Sequence, residues 1–141
     1  MYRFSPALAL VDDPFLLGNM GKIQVVQNAP IERDPKTGFG RRSIFDSSAD
    51  QVVEIRIPGE FSGNWHHHGK RTMYGYVVSG KATMEYGSKG MERAVLAAGD
   101  FFLIPPGLIH RDVNPNKEEV QILIFNIGQG PATQEVSGSE A

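Results

Sequence analysis

There is no cysteine anywhere in the 141 residues of this chain. Disulfides and thiolate ligands are therefore excluded, and any metal site must be built from nitrogen and oxygen donors. The same absence suits a reducing compartment, and the expected home is the cytoplasm. An excess of charge of one sign is also missing. Fourteen basic side chains oppose 16 acidic ones, for a net charge of −2. Arg41-Arg42 and Lys70-Arg71 are isolated pairs rather than a basic block, so nucleic acid is not an expected partner. Long apolar runs are lacking too. The N-terminal run Ala7 to Val11 is short and meets Asp12-Asp13, so neither a signal peptide nor a membrane span is expected. No window shows sustained helical periodicity, which leaves at most short helical turns.

What the chain does contain is a series of short β-type segments separated by glycine, proline and asparagine. Its length suits one domain over residues 1–141. Residues 1–21 carry Phe4, Leu8, Leu10, Phe15, Leu16 and Leu17. They form an N-terminal extension too apolar to be a free arm, expected to pack on the domain or on a second subunit. Lys22 to Gln27 reads as a first strand and Asn28 to Gly40 as a loop. Arg42 to Phe45 is a short second strand. Gln51 to Ile57 alternates, with Val53, Ile55 and Ile57 on one face and Glu54 and Arg56 on the other. Glu92 to Ala97 is another strand, Phe101 to Ile104 a run expected to be buried, and Val120 to Ile127 a long final strand. Residues 128–141, rich in Gly, Ser, Thr and Glu, are expected to be a flexible tail. The fold class is all-β, in two antiparallel sheets.

Ser79-Gly80 suits a two-residue hairpin, which would pair Gly75 with Met84 and Met73 with Tyr86. One face then carries Met73, Gly75, Val77, Ala82, Met84 and Tyr86 and points inward. The other carries Tyr74, Tyr76, Val78, Lys81, Thr83 and Glu85. Its tyrosines suit either solvent or a subunit interface.

Two stretches carry the chemistry. In Gly63-Asn64-Trp65-His66-His67-His68, the period-two alternation of a strand puts His66 and His68 on one face, with His67 turned away. Downstream stand Gly99, Pro105, Gly107, His110 and Asn114. Pro106-Gly107 suits a type II turn that delivers His110 back toward the pair. These stretches resemble the two motifs of the cupin superfamily, small β-barrels of the double-stranded β-helix or jelly-roll type that usually hold a divalent metal. In the first motif His66 and His68 supply the HxH pair and Gly80 the closing glycine, but Met73 occupies the glutamate position. The second motif is matched at every fixed position. The resemblance spans Gly63 to Asn114.

It implies a metal site of His66, His68 and His110, for a divalent transition ion such as Fe(II), Zn, Ni, Mn or Cu. Without the glutamate, the ion keeps its full dipositive charge, which favours anionic ligands. Met73 is most simply an apolar plug; a thioether ligand would favour soft ions such as Cu(I). Asp112, two residues after His110, reads equally as an outer-shell acceptor or a solvated carboxylate. Tyr86 is a further polar candidate for the substrate pocket. The implied functions are a dioxygenase like the three-histidine cupins, acting on a small oxygen-chelating or anionic substrate, or a non-redox isomerase, lyase or small-molecule-binding module. A homodimer is the implied assembly.

Overall fold

The structure, a computed structural model, describes residues 21–141. The N-terminal extension lies outside the described residues up to Met20. Among those described there are only strands: β1 (Glu32–Arg33), β2 (Gly40–Asp46), β3 (Asp50–Ile57), β4 (Phe61–Ser62), β5 (His66–His67), β6 (Thr72–Ser79), β7 (Lys81–Tyr86), β8 (Glu92–Ala97), β9 (Phe101–Ile104), β10 (His110–Asn114), β11 (Val120–Ile127) and β12 (Gln134–Glu135). They form two sheets, β1-β2-β3-β11-β6-β9 and β12-β5-β10-β7-β8, with β4 also pairing β10. All strand pairs are antiparallel. This is the all-β fold that the alternating segments imply, and no helix here is long and apolar enough to cross a membrane.

The core lies between the sheets. β3 contributes Val53, Ile55 and Ile57, and β11 contributes Val120, Ile122 and Ile124. Met73, Val77 and Ile104 complete the first sheet's share, against Ala82, Met84 and Leu96 of the second. Each inward side chain is every second residue, as the pleat requires. Truncating the fully buried Ile57 or Ile122 to alanine should cost roughly 2–5 kcal/mol.

The motif's fixed residues have local mechanical reasons. Leu108 N donates to Pro105 O at 3.3 Å, and Gly107 sits at φ 75°, as a type II turn demands. The Asn114 amide, fully buried, donates to Ile57 O, Pro58 O and Glu118 O at 3.4, 3.0 and 2.7 Å and stitches three chain segments together.

Several expectations are corrected. Lys22 to Gln27 is not a strand: it has no pairing partner among the described residues, and Ile23 is 95% exposed. Ser79-Gly80 does not close a hairpin within one sheet. β6 is flanked by β11 and β9, whereas β7 is flanked by β10 and β8, so the chain changes sheets at Gly80. Gly80 sits at φ 86°, and a Cβ there would stand 2.9 Å from Glu119 O. Met73 is consequently opposite Ile104 and Asn126, not Tyr86. The assignment of faces nevertheless holds for Met73, Val77, Ala82 and Met84, because alternation does not depend on which strand is the neighbour.

The run Phe101 to Ile104 is not buried throughout: β9 is an edge strand, and Phe101 and Leu103 are 81% and 54% exposed. Glu54, on the outer face of β3, is buried under arginines. Arg42 bonds it, Arg56 Nε donates to it at 2.5 Å, and Gln121 Nε2 at 2.8 Å. Residues 128–141, expected to be a flexible tail, return to the second sheet. Gln134 and Glu135 pair with β5, and Val136 N donates to Trp65 O at 3.0 Å.

Candidate metal centre

β10 sits between β5 and β7, which puts His110 directly opposite His66 on one side and Tyr86 on the other. His68 follows β5 by one residue and, by alternation, shares the face of His66. The three rings converge, with centroids 4.3 Å apart for His66 and His110, 5.0 Å for His68 and His110, and 5.2 Å for His66 and His68. One potential ligand atom from each lies within 4.8 Å of the others, so these histidines are positioned to hold a metal ion. His67 is not among them. Its Nδ1 accepts from Gly69 N at 3.0 Å, outside the cluster.

Each ring is locked by a backbone carbonyl. His66 Nδ1 meets Asn64 O at 2.9 Å, His68 Nδ1 meets Ala132 O at 2.8 Å, and His110 Nδ1 meets Leu108 O at 2.9 Å. A carbonyl can only accept, so the proton of each neutral imidazole sits on Nδ1 and the Nε2 lone pair is left free. On His68 and His110 that Nε2 is buried and has no partner. Burial, followed by the nearness of His66, pushes His68 and His110 down to about 4. Both rings are therefore neutral at pH 7, the state a ligand requires. Orphaned buried nitrogen lone pairs with an all-nitrogen donor set fit a divalent transition ion.

The remaining candidates fall around this cluster. Asp112 shares the inward face of β10 with His110, is buried, and its Oδ1 has no hydrogen-bond partner. Its negative charge is felt by His68. Met73 is buried on the inward face of β6, in the opposite sheet. Tyr86, half-buried, shares the face of His110 as its direct cross-strand neighbour.

Motif spacing did not reveal the carbonyls of Asn64, Leu108 and Ala132, because they are backbone groups. Nor did it point to Arg71, Asn126 and Gln51, which are also buried. Parity could have found Arg71, two residues before Met73 and therefore in phase with it.

Fold and site together define a small β-barrel protein with a three-histidine centre. The sequence agrees: the Cupin domain profile matches residues 52–126, and the chain belongs to the cupin family. It is 34% identical over 73 residues to the oxalate oxidase GF-3.8 of Triticum aestivum, covering 48% of this chain and 32% of that protein. It is 36% identical over 63 residues to the uncharacterized protein YdbB of Bacillus subtilis, covering 44% of this chain and 52% of that one. The matches thus span about a third and about half of those relatives. In fold, it resembles the polyketide cyclase RemF of Streptomyces resistomycificus, with a TM-score of 0.68 at 18% identity over 84% of this chain and 89% of that one.

Proposed function

We propose that this chain is a metal-dependent enzyme in which His66, His68 and His110 hold a divalent transition ion, ferrous iron in the first instance. Its substrate is a small, oxygen-chelating organic anion, and the reaction is of the dioxygenase type. The observation that carries this reading is the pair of buried, unpartnered Nε2 atoms on rings whose Nδ1 atoms are already committed. When bound, the ion supplies Lewis-acid polarisation of a substrate oxygen and, if redox-active, electrons for dioxygen chemistry.

The chain's own residues do the rest. Three neutral imidazoles leave the ion's charge uncompensated, and Met73 adds no carboxylate, which favours an anionic substrate. In this reading Asp112 Oδ1, buried without a partner, accepts a proton, and the Tyr86 phenol donates a hydrogen bond to a substrate oxygen. The wheat relative is named for oxidising oxalate, a small anion, which supports the same direction.

One observation favours a second reading. A buried carboxylate with a free oxygen beside the histidines equally suits proton transfer, as in a non-redox isomerase or lyase. Metal analysis of protein purified without chelator or nickel resin, combined with oxygen uptake, separates the two. The first reading expects iron and oxygen consumption in the presence of a small α-oxygenated acid. Zinc or nickel with no oxygen uptake supports the second, and protein that takes up no metal overturns both.

We further propose a homodimer. Tyr74, Phe101, Leu103 and Phe125 are exposed on the outer face of the first sheet. Registry makes them contiguous, with Tyr74 opposite both Leu103 and Phe125, and Tyr76 opposite Phe101. A second copy would cover that face.

A further inference from the structure

The interior also holds a cation that the metal centre does not use. Arg71 is 4% exposed, and among the described residues it forms no ion pair. Its Nε donates to Gly130 O at 2.9 Å, and its Nη2 makes long contacts to Ser47 O and Ser48 O at 3.4 and 3.5 Å. Nη1, with two N–H donors, is buried and has no partner. Burying a guanidinium without an anion is costly, and neutral carbonyls compensate it only in part.

The backbone of Arg71 lies beside that of His68. Its backbone N donates to His68 O at 3.0 Å, so one tight turn joins the two residues. Their side chains hang from the same returning segment, His68 from Ala132 O and Arg71 from Gly130 O. Those two positions can be at most about 7 Å apart. Arg71 immediately precedes β6, two residues before the inward-facing Met73. Gly128 lies beside it: a Cβ there would stand 3.2 Å from the Arg71 Cα and 3.6 Å from its Cγ, so the absence of a side chain leaves the arginine its path. Inward at the same end stands Asn126, opposite Met73. Its Nδ2 donates to Gln51 Oε1 at 3.0 Å, while its Oδ1 is buried without a partner.

We propose that Arg71 is the carboxylate anchor of this site: its free Nη1 holds the carboxylate of a small organic acid whose second oxygen reaches the three-histidine ion. Asn126 Oδ1 is then available to a hydroxyl or water of the bound acid. This rests on the metal-dependent reading above and narrows its substrate to acids carrying a second oxygen donor a few bonds from the carboxylate. The charges agree, since an ion of charge +2 on neutral ligands plus one guanidinium outweighs the buried carboxylate of Asp112 on the His110 face.

The test uses cobalt-loaded full-length protein, with lactate, lactamide and propionate as probes, read by the visible spectrum. Metal content is measured first: no cobalt bound by the unmutated protein would defeat the metal reading itself. With metal bound, lactate should outbind both lactamide and propionate. Arg71→Gln should keep its cobalt but lose the preference for lactate over lactamide by about tenfold or more, the scale of one charge-assisted hydrogen bond. Arg71→Lys, which keeps the charge, should recover part of that preference. A purely structural arginine would lower the melting temperature of both variants and leave the lactate-to-lactamide ratio unchanged. That result overturns the anchor, as would an unmutated protein that binds lactate and lactamide alike.

Discussion

His66, His68 and His110 owe their ligating tautomer to the carbonyls of Asn64, Ala132 and Leu108, and the consequences can be tested residue by residue. Replacing any one histidine with alanine leaves two imidazoles, and metal affinity should fall by more than the roughly 10–100-fold typical of an outer-shell change. Met73→Glu tests the missing carboxylate. If Met73 faces the ion, the variant should hold metal at least as tightly and bind azide or acetate more weakly. It should also lose more stability than the unmutated protein on chelation, because its new carboxylate is then buried alone. Unchanged anion affinity would mean that Met73 does not face the ion. The acid response follows from His68 and His110, held at about 4 by burial and by His66. In the unfolded chain they titrate near 6.5, so between these values the unfolded state binds more protons. The metal-free protein should therefore be most stable above about pH 6.5 and lose stability as the pH falls toward 4. Urea midpoints across that range check this, and a flat profile would contradict buried, neutral rings. The same depression lets the loaded site keep its metal to lower pH than free imidazoles would allow.

Among the elements, β5 with the residue after it and β10 carry the ligands, yet the segment that follows β11 completes them by supplying Ala132 O. Deleting residues 131–141 removes that carbonyl and β12 but no member of the hydrophobic core. The shortened chain should fold and bind metal roughly 10–100-fold more weakly; equal affinity, measured by competition with a chelator, would deny the segment any part in the site. This element also marks the limit of what the sequence can tell. β3, β8, β10 and β11 were legible because alternation or motif spacing is a local property. The partners of β6 and β7 were not, since the turn at Gly80 is compatible with either a hairpin or a change of sheet. Composition made residues 128–141 look loose, and their backbone bonds to Trp65 and His68 arise only from tertiary placement. Glu54 was hidden for the same reason: its burial depends on the arginines that lie over it.

For the whole molecule, the exposed apolar face formed by β6, β9 and β11 bears on assembly. Light scattering at micromolar concentration should report a dimer. Leu103→Lys, on the edge strand, should shift it to monomer without loss of metal; a monomeric unmutated protein would contradict the interface. The proposed chemistry depends on three imidazoles meeting one ion. X-ray absorption at the zinc edge, on protein loaded with one equivalent per chain, tests this most directly. The expected result is the multiple-scattering pattern of three imidazoles, with nitrogen at roughly 2.0–2.1 Å. Fewer than three imidazoles, or a sulfur scatterer from Met73, would contradict it.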